Sequence, residues 1–307
     1  MKYYENIDFG QAVQKCPDAR RAQAEERGVH RSTLIDEAYG ATQQMDVFQQ
    51  RANKTDMAYE NNKSNTPIGP VAVVIPVYNH EEKVADVVRE ALRLNLPVFV
   101  VDDGSTDQSL TRIQDIPHVH VIRHDRNRGK GAALLTGFAA ASLWADWAVT
   151  IDADGQHHPE DAWNLIRAVP PGTRPIVIGR REGMEHGHVP WTSRFGRAFS
   201  NFWVWASGGP VIEDSQSGFR LYPLPEVMCL QVQARRFQFE VEVLARAKWR
   251  GVPILSAPVR VTYQPAGERV SHYRGFVDFM RNTGTFSRLI FRRICIMPFI
   301  KGSQGHH

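Results

Sequence analysis

Val149-Thr150-Ile151-Asp152-Ala153-Asp154-Gly155-Gln156-His157-His158-Pro159-Glu160-Asp161 is the stretch on which the fold turns. The apolar run from Trp147 to Ile151 predicts a short buried strand, and that strand ends in two carboxylates spaced i, i+2. Gly155 breaks it, and Pro159 suits the first turn of a helix, with Glu160 and Asp161 beside the helix's positive end. Two acids therefore sit where a parallel strand delivers its chain, the edge at which open α/β sheets bind ligands. In extended backbone Asp152, Asp154 and Gln156 share one face. Three oxygen donors in such a row suit a hard divalent cation that also holds phosphate oxygens. Alone, an Asp-x-Asp is as readily a polar turn, so the flanking chain has to decide.

Upstream, Val71 to Val77 is a continuous apolar strand of the kind buried on both faces. Val84, Val87, Val88, Ala91 and Leu92 recur at helical spacing. Pro97 to Val101 predicts a second strand, Val119 to Ile122 a weaker third, Gly131 to Leu143 an Ala-rich helix, and Pro175 to Gly179 a strand beyond the acid row. Strand–helix alternation with short links predicts a mainly parallel sheet covered by helices on both sides. Four successive strand ends carry polar clusters: Tyr78-Asn79-His80-Glu81-Glu82, Asp102-Asp103-Gly104-Ser105-Thr106-Asp107, Arg126-Asn127-Arg128-Gly129-Lys130-Gly131, and the Asp152/Asp154/Gln156 loop. Together they outline one crevice. Its carboxylates and amides suit a nucleobase and ribose, and its basic Gly-rich loop suits phosphates. A P-loop is disfavoured because Lys130 is followed by Gly131, and a dinucleotide fingerprint because the first strand runs into Pro76-Val77-Tyr78-Asn79.

With 307 residues, 42% hydrophobic and 23% charged, the chain has ample material for a buried core. A net charge of +4 gives no indication of nucleic-acid binding. Cys16, Cys229 and Cys295 are scattered, which indicates neither a zinc site nor a disulfide framework and makes a reducing compartment the default. The N-terminus lacks the apolar core of a signal peptide, and no run reaches the length of a transmembrane helix. Residues 1–67 are polar and read as a partly disordered or helical extension, residues 302–307 as a tag remnant.

Val73-Val74-Ile75-Pro76-Val77-Tyr78-Asn79, Val100-Val101-Asp102-Asp103-Gly104-Ser105-Thr106-Asp107 and Asp152-Ala153-Asp154-Gly155-Gln156-His157 together resemble glycosyltransferase family 2, inverting enzymes of the GT-A fold. Asp214-Ser215-Gln216-Ser217-Gly218-Phe219-Arg220 and Arg236-Phe237-Gln238-Phe239-Glu240-Val241-Glu242 are similar to the branch of dolichyl-phosphate mannose and glucose synthases and bacterial polyprenyl-phosphate sugar transferases. The resemblance implies a GT-A-like catalytic domain over residues 68–262. Pro76, Tyr78, Glu81 and Asp103 would line the donor-nucleotide pocket, with Asp102 in the same loop and either of the pair reading the base. Asn79-His80-Glu81 departs by one residue from the family's Asn-Glu pattern and leaves Glu81 against Glu82 open. Asp152, Asp154 and Gln156 match positions that hold a divalent metal, Mg²⁺ or Mn²⁺, and Lys130 falls on the donor side. Arg180 and Arg194 resemble arginines that hold an acceptor phosphate, with Arg181 and Arg197 as close competitors.

The implied reaction is metal-dependent transfer of a sugar from a UDP- or GDP-sugar to a polyprenyl phosphate. A metal on the leaving diphosphate neutralises its growing charge. A phosphate acceptor is already an anion and attacks without a general base. A hydroxyl acceptor, on a lipid or glycan, would need a carboxylate base, for which Asp214, Glu240 and Glu242 are candidates. Glu240 and Glu242 lie two apart and do not share a helix face. A third reading is a non-catalytic nucleotide-sugar-binding membrane scaffold. His157 and His158 read as loop and N-cap groups. Trp191, Phe195, Phe199, Phe202, Trp203 and Trp205 read equally as a core-packing helix or a lipid-gripping surface. Residues 263–301 read as an acceptor-side loop and an interfacial amphipathic helix, with Phe276, Phe279, Met280, Thr283, Phe286 and Ile290 at helical spacing among arginines. The expected location is peripheral, on the cytoplasmic face of a membrane.

Overall fold

The computed structural model describes residues 2–5, 66–182, 200–262, 284–291 and 293–294. Its strands are β1 (Lys2–Glu5), β2 (Val71–Val77), β3 (Val98–Asp102), β4 (Val119–Arg123), β5 (Trp147–Thr150), β6 (Ile176–Arg181), β7 (Arg220–Pro223) and β8 (Ile254–Val259). The helices are α1 (Val84–Leu92), α2 (Ser109–Ile113), α3 (Lys130–Ala141), α4 (Ala162–Arg167), α5 (Leu224–Cys229) and α6 (Phe239–Trp249), with further helical turns over residues 200–206 and 284–291.

The apolar runs form strands because both faces of the sheet are covered. Val71, Val73, Ile75 and Val77 of β2, with Val98 and Val100 of β3, face a core shared with α1 and α4. Ala72, Val74, Phe99 and Val101 face a second core built with α3, α5 and α6. Alternate side chains thus enter opposite cores, which is why these strands lack a polar face. α3 lies so close to β2 that a Cβ on Gly137 would stand 2.4 Å from Val74 Cγ1. Trp147 Nε1 donates to Ile68 O at 3.0 Å, tying the entry of the domain to β5.

The sheet order is β1-β4-β3-β2-β5-β7-β6-β8. β1, β4, β3, β2 and β5 are mutually parallel, β7 is antiparallel to both neighbours, and β8 runs parallel to β6. Two consequences position the site. The carboxyl ends of β2, β3, β4 and β5 share one edge. Because β7 is reversed, its first residue, Arg220, pairs with the last residue of β5, Thr150, and the carboxyl end of β6 returns to the same edge. Arg180, Arg181 and the chain before Arg220 therefore join the acid row.

The mainly parallel sheet agrees with the sequence reading, but β7, β8 and β1 were not anticipated. Residues 2–5 form a strand beside β4, within a segment expected to be partly disordered or helical; the remainder of residues 1–65 lies outside the described residues. Pro159–Asp161 forms a 3₁₀ turn leading into α4, as the proline and acids predicted. Cys229 is disulfide-bonded, which the scattered cysteine spacing did not indicate and which removes its support for a reducing compartment. Of the expected C-terminal helix, residues 284–291 are described as helical, with Phe286 and Leu289 buried; Phe276, Phe279, Met280 and Thr283 lie outside the described residues.

Candidate active site

The loops after β2 and β3 are laced together. Asn79, at φ 53°, donates its amide to Ser105 Oγ (3.0 Å) and accepts the Thr106 amide at Oδ1 (2.8 Å). The His80 amide donates to Ser109 Oγ (2.8 Å). The Glu81 amide donates to Asp107 Oδ2 (3.1 Å), and the Gln108 amide returns a bond to Glu81 Oε2 (2.8 Å). Burial would raise the Asp107 pKa, but bonds from Ser109 and the Glu81 amide hold it below the usual value. Glu81 rather than the exposed Glu82 thus braces the crevice wall on which Pro76 and Tyr78 stand half-buried.

Asp102 and Asp103 have different work. Asp103 is buried, and both of its oxygens are engaged: Oδ1 with His124 Nδ1 (2.7 Å) and the Arg128 amide (2.8 Å), Oδ2 with the Gly129 amide (2.7 Å). It clamps the basic loop that starts α3. Fully buried Asp102 uses Oδ1 for the Ser105 amide (3.0 Å). Its Oδ2 has Arg123 Nε at 3.5 Å, a charge contact without a hydrogen bond. Gly104, at φ 72°, is forced: a Cβ there would stand 2.5 Å from the Arg126 carbonyl carbon.

At the end of β5 the acid row meets Lys130. Lys130 Nζ lies 2.7 Å from Asp152 Oδ1 and 2.5 Å from Glu240 Oε1. Burial opposes the lysine's charge, but the two carboxylates outweigh it and raise its pKa above the ordinary value. Burial would raise Asp152, yet the Lys130 ammonium holds its pKa down. Burial, then the charge on Asp152, push Asp154 upward. Asp154 Oδ1 accepts the Gln156 amide (3.0 Å), turning the chain at Gly155. Burial lowers His157 more than Asp152 and Asp154 raise it, favouring the neutral ring. His157 packs on Phe219, and its Nδ1 has no hydrogen-bond partner among the described residues. His158 caps the turn from its backbone, with Nε2 2.9 Å from Thr262 Oγ1.

Among the described residues no group of three His, Cys, Asp or Glu side chains converges as a metal site. The row offers two carboxylates and one amide. Two crowded acids, one pushed toward protonation by the other, form an oxygen-rich donor set that a hard divalent cation would relieve. The residues therefore fit such an ion.

Gly218 covers this cluster. A Cβ there would lie 2.4 Å from Asp152 Oδ2 and 2.7 Å from Lys130 Nζ. The atoms that must yield are side-chain ends of the site, not backbone. Gly218→Ala is therefore expected to cut the activity of this site by about 10- to 100-fold, since small misplacements of catalytic groups are costly, while the melting temperature barely moves. Initial rates and thermal melts on one preparation check this.

The candidate bases are all engaged. Asp214 receives Arg181 Nε (2.7 Å) and Nη2 (2.9 Å) in a bidentate pair, and its side chain is fully buried. Glu240 holds Lys130. Glu242 is buried and caps the Gln233 and Ala234 amides while binding Arg246 and Arg288. Glu240 points to the site and Glu242 away from it, as their two-residue spacing on a helix requires. Arg180 pairs with Glu213 at 3.0 Å on the exposed rim. Arg194 and Arg197 lie outside the described residues. Sequence reasoning assigned no role to Arg220, Gly218 or His124. An arginine inside the apolar run Phe219-Arg220-Leu221-Tyr222 was the one available signal.

A solved structure places the fold. Glucosyl-3-phosphoglycerate synthase from Mycobacterium tuberculosis, in complex with Mn²⁺, UDP and phosphoglyceric acid, superposes with a TM-score of 0.56 over 76% of this chain and 80% of its own, at 20% identity. The sheet is of the GT-A type, with the acid row at the carboxyl edge of β5. The profile of glycosyl transferase family 2 matches residues 72–222. The UDP-N-acetylglucosamine–dolichyl-phosphate N-acetylglucosaminyltransferase of Methanococcus voltae is 31% identical over 215 residues, 63% of this chain and 86% of the relative. The polyprenol monophosphomannose synthase of Mycolicibacterium smegmatis is 28% identical over 225 residues, 66% of this chain and 80% of the relative. The chain belongs to glycosyl transferase family 2 and is a glycosyltransferase.

Proposed function

We propose that the protein transfers a sugar from a nucleoside-diphosphate donor to a polyprenyl phosphate, with Mg²⁺ or Mn²⁺ held by Asp152, Asp154 and Gln156. The observation that carries the acceptor assignment is the engagement of every candidate base: Asp214 by Arg181, Glu240 by Lys130, Glu242 by Arg246 and Arg288. A hydroxyl acceptor needs a carboxylate free to take its proton, whereas a phosphate does not. The acceptors named for the two relatives, a dolichyl phosphate and a polyprenol monophosphate product, support the same reading.

The bound cation would supply Lewis-acid neutralisation of the leaving diphosphate. The chain's own residues do the rest. Asp102 and Asp103 shape the base side from behind, Asp102 through the Ser105 amide and the Arg123 charge, Asp103 through the Arg128 and Gly129 amides. The wall braced by Asn79 and Glu81 holds the nucleoside, and neutral His157 stands as a further donor beside the row. Arg180, with Arg194 from outside the described residues, positions the acceptor phosphate beside the donor's, a task that suits the planar guanidinium fork.

The test is transfer from labelled UDP- and GDP-sugars to polyprenyl phosphate and to the matching polyprenol, each with Mn²⁺, Mg²⁺ or EDTA. Metal-dependent product with the phosphate only supports the reading. Product with the polyprenol would overturn the acceptor assignment, and undiminished product in EDTA the metal assignment.

We also propose that the enzyme works peripherally at the surface of a membrane. Among the described residues no helix is long and apolar enough to cross one. Phe202, Trp205, Phe291 and Ile294 are each more than half exposed. Beneath them Trp203 stacks on Phe286 (5.6 Å), and Arg293 Nη1 bonds Ala206 O (2.9 Å), so residues 200–206, 284–291 and 293–294 share one surface. The aromatic stretch thus has both a packed and an exposed side. Replacing Phe202, Trp205 and Phe291 by Ser is expected to weaken binding to anionic-lipid vesicles by at least about tenfold, since each aromatic removes a large apolar area from the interface. Vesicle co-sedimentation measures it.

A further inference from the structure

We propose that Lys130 is a built-in competitor of the divalent cation for Asp152, and that Glu240 is a positioning residue that sets the outcome by drawing Lys130 away. This rests on the reading of Asp152, Asp154 and Gln156 as the cation set. Lys130 Nζ sits between two carboxylates, 2.7 Å from Asp152 Oδ1 and 2.5 Å from Glu240 Oε1. Only Asp152 belongs to the acid row, so one carboxylate serves two cations.

The three residues stand on rigid supports. Lys130 is the first residue of α3, fixed behind Gly129, whose amide is clamped by Asp103 and whose φ is 101°. Glu240 lies in the first turn of α6, with its carbonyl held by Arg220 Nη1 at 2.8 Å. Asp152 is covered at Oδ2 by Gly218, leaving it little room to rotate out of reach. The side chains are only 17%, 24% and 9% exposed for Lys130, Asp152 and Glu240, so water screens their charges weakly. An ammonium that must stay within reach of Asp152 repels a divalent ion bound there. The pull of Glu240 spreads the ammonium's attraction over two acids and leaves Asp152 partly available. Such an arrangement holds the cation loosely enough to leave with the spent nucleotide.

The two substitutions then have opposite signs. Lys130→Met keeps the stem and removes the charge, and it is expected to tighten Mn²⁺ binding about tenfold. Glu240→Gln leaves Lys130 wholly to Asp152 and is expected to loosen Mn²⁺ about tenfold. Because Glu240 acts only through Lys130, the double variant should bind as Lys130→Met does.

The experiment is a titration of the full chain with Mn²⁺, followed by the EPR signal of free Mn²⁺, alone and with UDP or GDP. Thermal melts accompany it, and Lys130→Gln stands in if Lys130→Met does not fold. Looser or unchanged binding in the Lys130 variants would overturn the proposal, because Lys130 would then be organising Asp152 rather than competing for it. A further loss from Glu240→Gln in the Lys130→Met background would also overturn it, because Glu240 would then be a ligand itself. The underlying metal reading has its own controls. Wild-type binding that is abolished by Asp154→Asn supports that reading whatever the Lys130 variants do, and no wild-type binding in any series overturns both.

Discussion

Asp154→Ala is expected to lower sugar transfer by about a thousandfold, the upper range for loss of one preorganised electrostatic group, while leaving the melting temperature unchanged or slightly higher. The two halves of this expectation come from one observation. Burial and the neighbouring Asp152 raise the Asp154 pKa in the folded protein. A carboxyl whose folded pKa is raised contributes its stability only below its unfolded pKa, and that contribution is lost as pH rises through the folded value. At neutral pH the ionised Asp154 is therefore a strain on the fold, and its removal relieves Asp152. A group kept in spite of such repulsion is one the chemistry needs. Initial rates with Mn²⁺ and Mg²⁺, taken with thermal melts at pH 7.5 (about that value, where ordinary carboxylates are ionised), check both halves. A variant that loses stability in step with activity would mean that Asp154 only turns the chain through the Gln156 amide.

That acid row was legible because it lies within one stretch of chain. An apolar strand, two acids at i, i+2 and a glycine break are local features, and so are the buried runs that became β2, β3, β4 and β5. The missed strands fail the same criterion. β7 is four residues, Arg220–Pro223, with a charge at one end and a proline at the other. β8, with the pattern half-buried or exposed at four of six positions, reads as loop because the strand contains Ser256 and Pro258. Their membership in the sheet depends on partners far along the chain. The division of work at the site was hidden for the same reason. Asp214 reads as a free carboxylate until β6 brings Arg181 to it across 33 residues. Asp103 reads as a nucleotide contact, whereas both its oxygens hold the loop 25 and 26 residues on. Spacing exposes which groups share an edge. Which of them are already spent on one another follows only from the pairing of β5, β7 and β6.

Arg220→Met is expected to destabilise the domain by about 3–5 kcal/mol, the sum of a few buried hydrogen-bond acceptors left unsatisfied, and to abolish transfer with it. Arg220 is fully buried, yet among the described residues none of its hydrogen bonds goes to a carboxylate. Nε donates to Ser217 O (2.7 Å), Nη2 to Ser215 O (2.8 Å), and Nη1 to Glu240 O (2.8 Å) and the Tyr222 hydroxyl (3.3 Å). The guanidinium is thus the hub that joins the Ser215–Ser217 turn and Gly218 to the first turn of α6, which carries Glu240. Its removal strands buried carbonyls, each costing about 1–3 kcal/mol. Arg220→Lys is not expected to rescue, because one compact ammonium cannot span carbonyls arranged around a planar fork. Urea unfolding of the two variants measures the loss; near-native stability of Arg220→Lys would show that the carbonyls, not the fork, set the geometry. The charge of Arg220 matters as well as its shape. Asp152, Asp154 and Glu240 crowd one edge of the sheet, and a cation caged among neutral acceptors adds positive potential beneath them without occupying any carboxylate. Arg220, buried in the core as Arg246 also is, then bears on how tightly the proposed cation set would hold a metal.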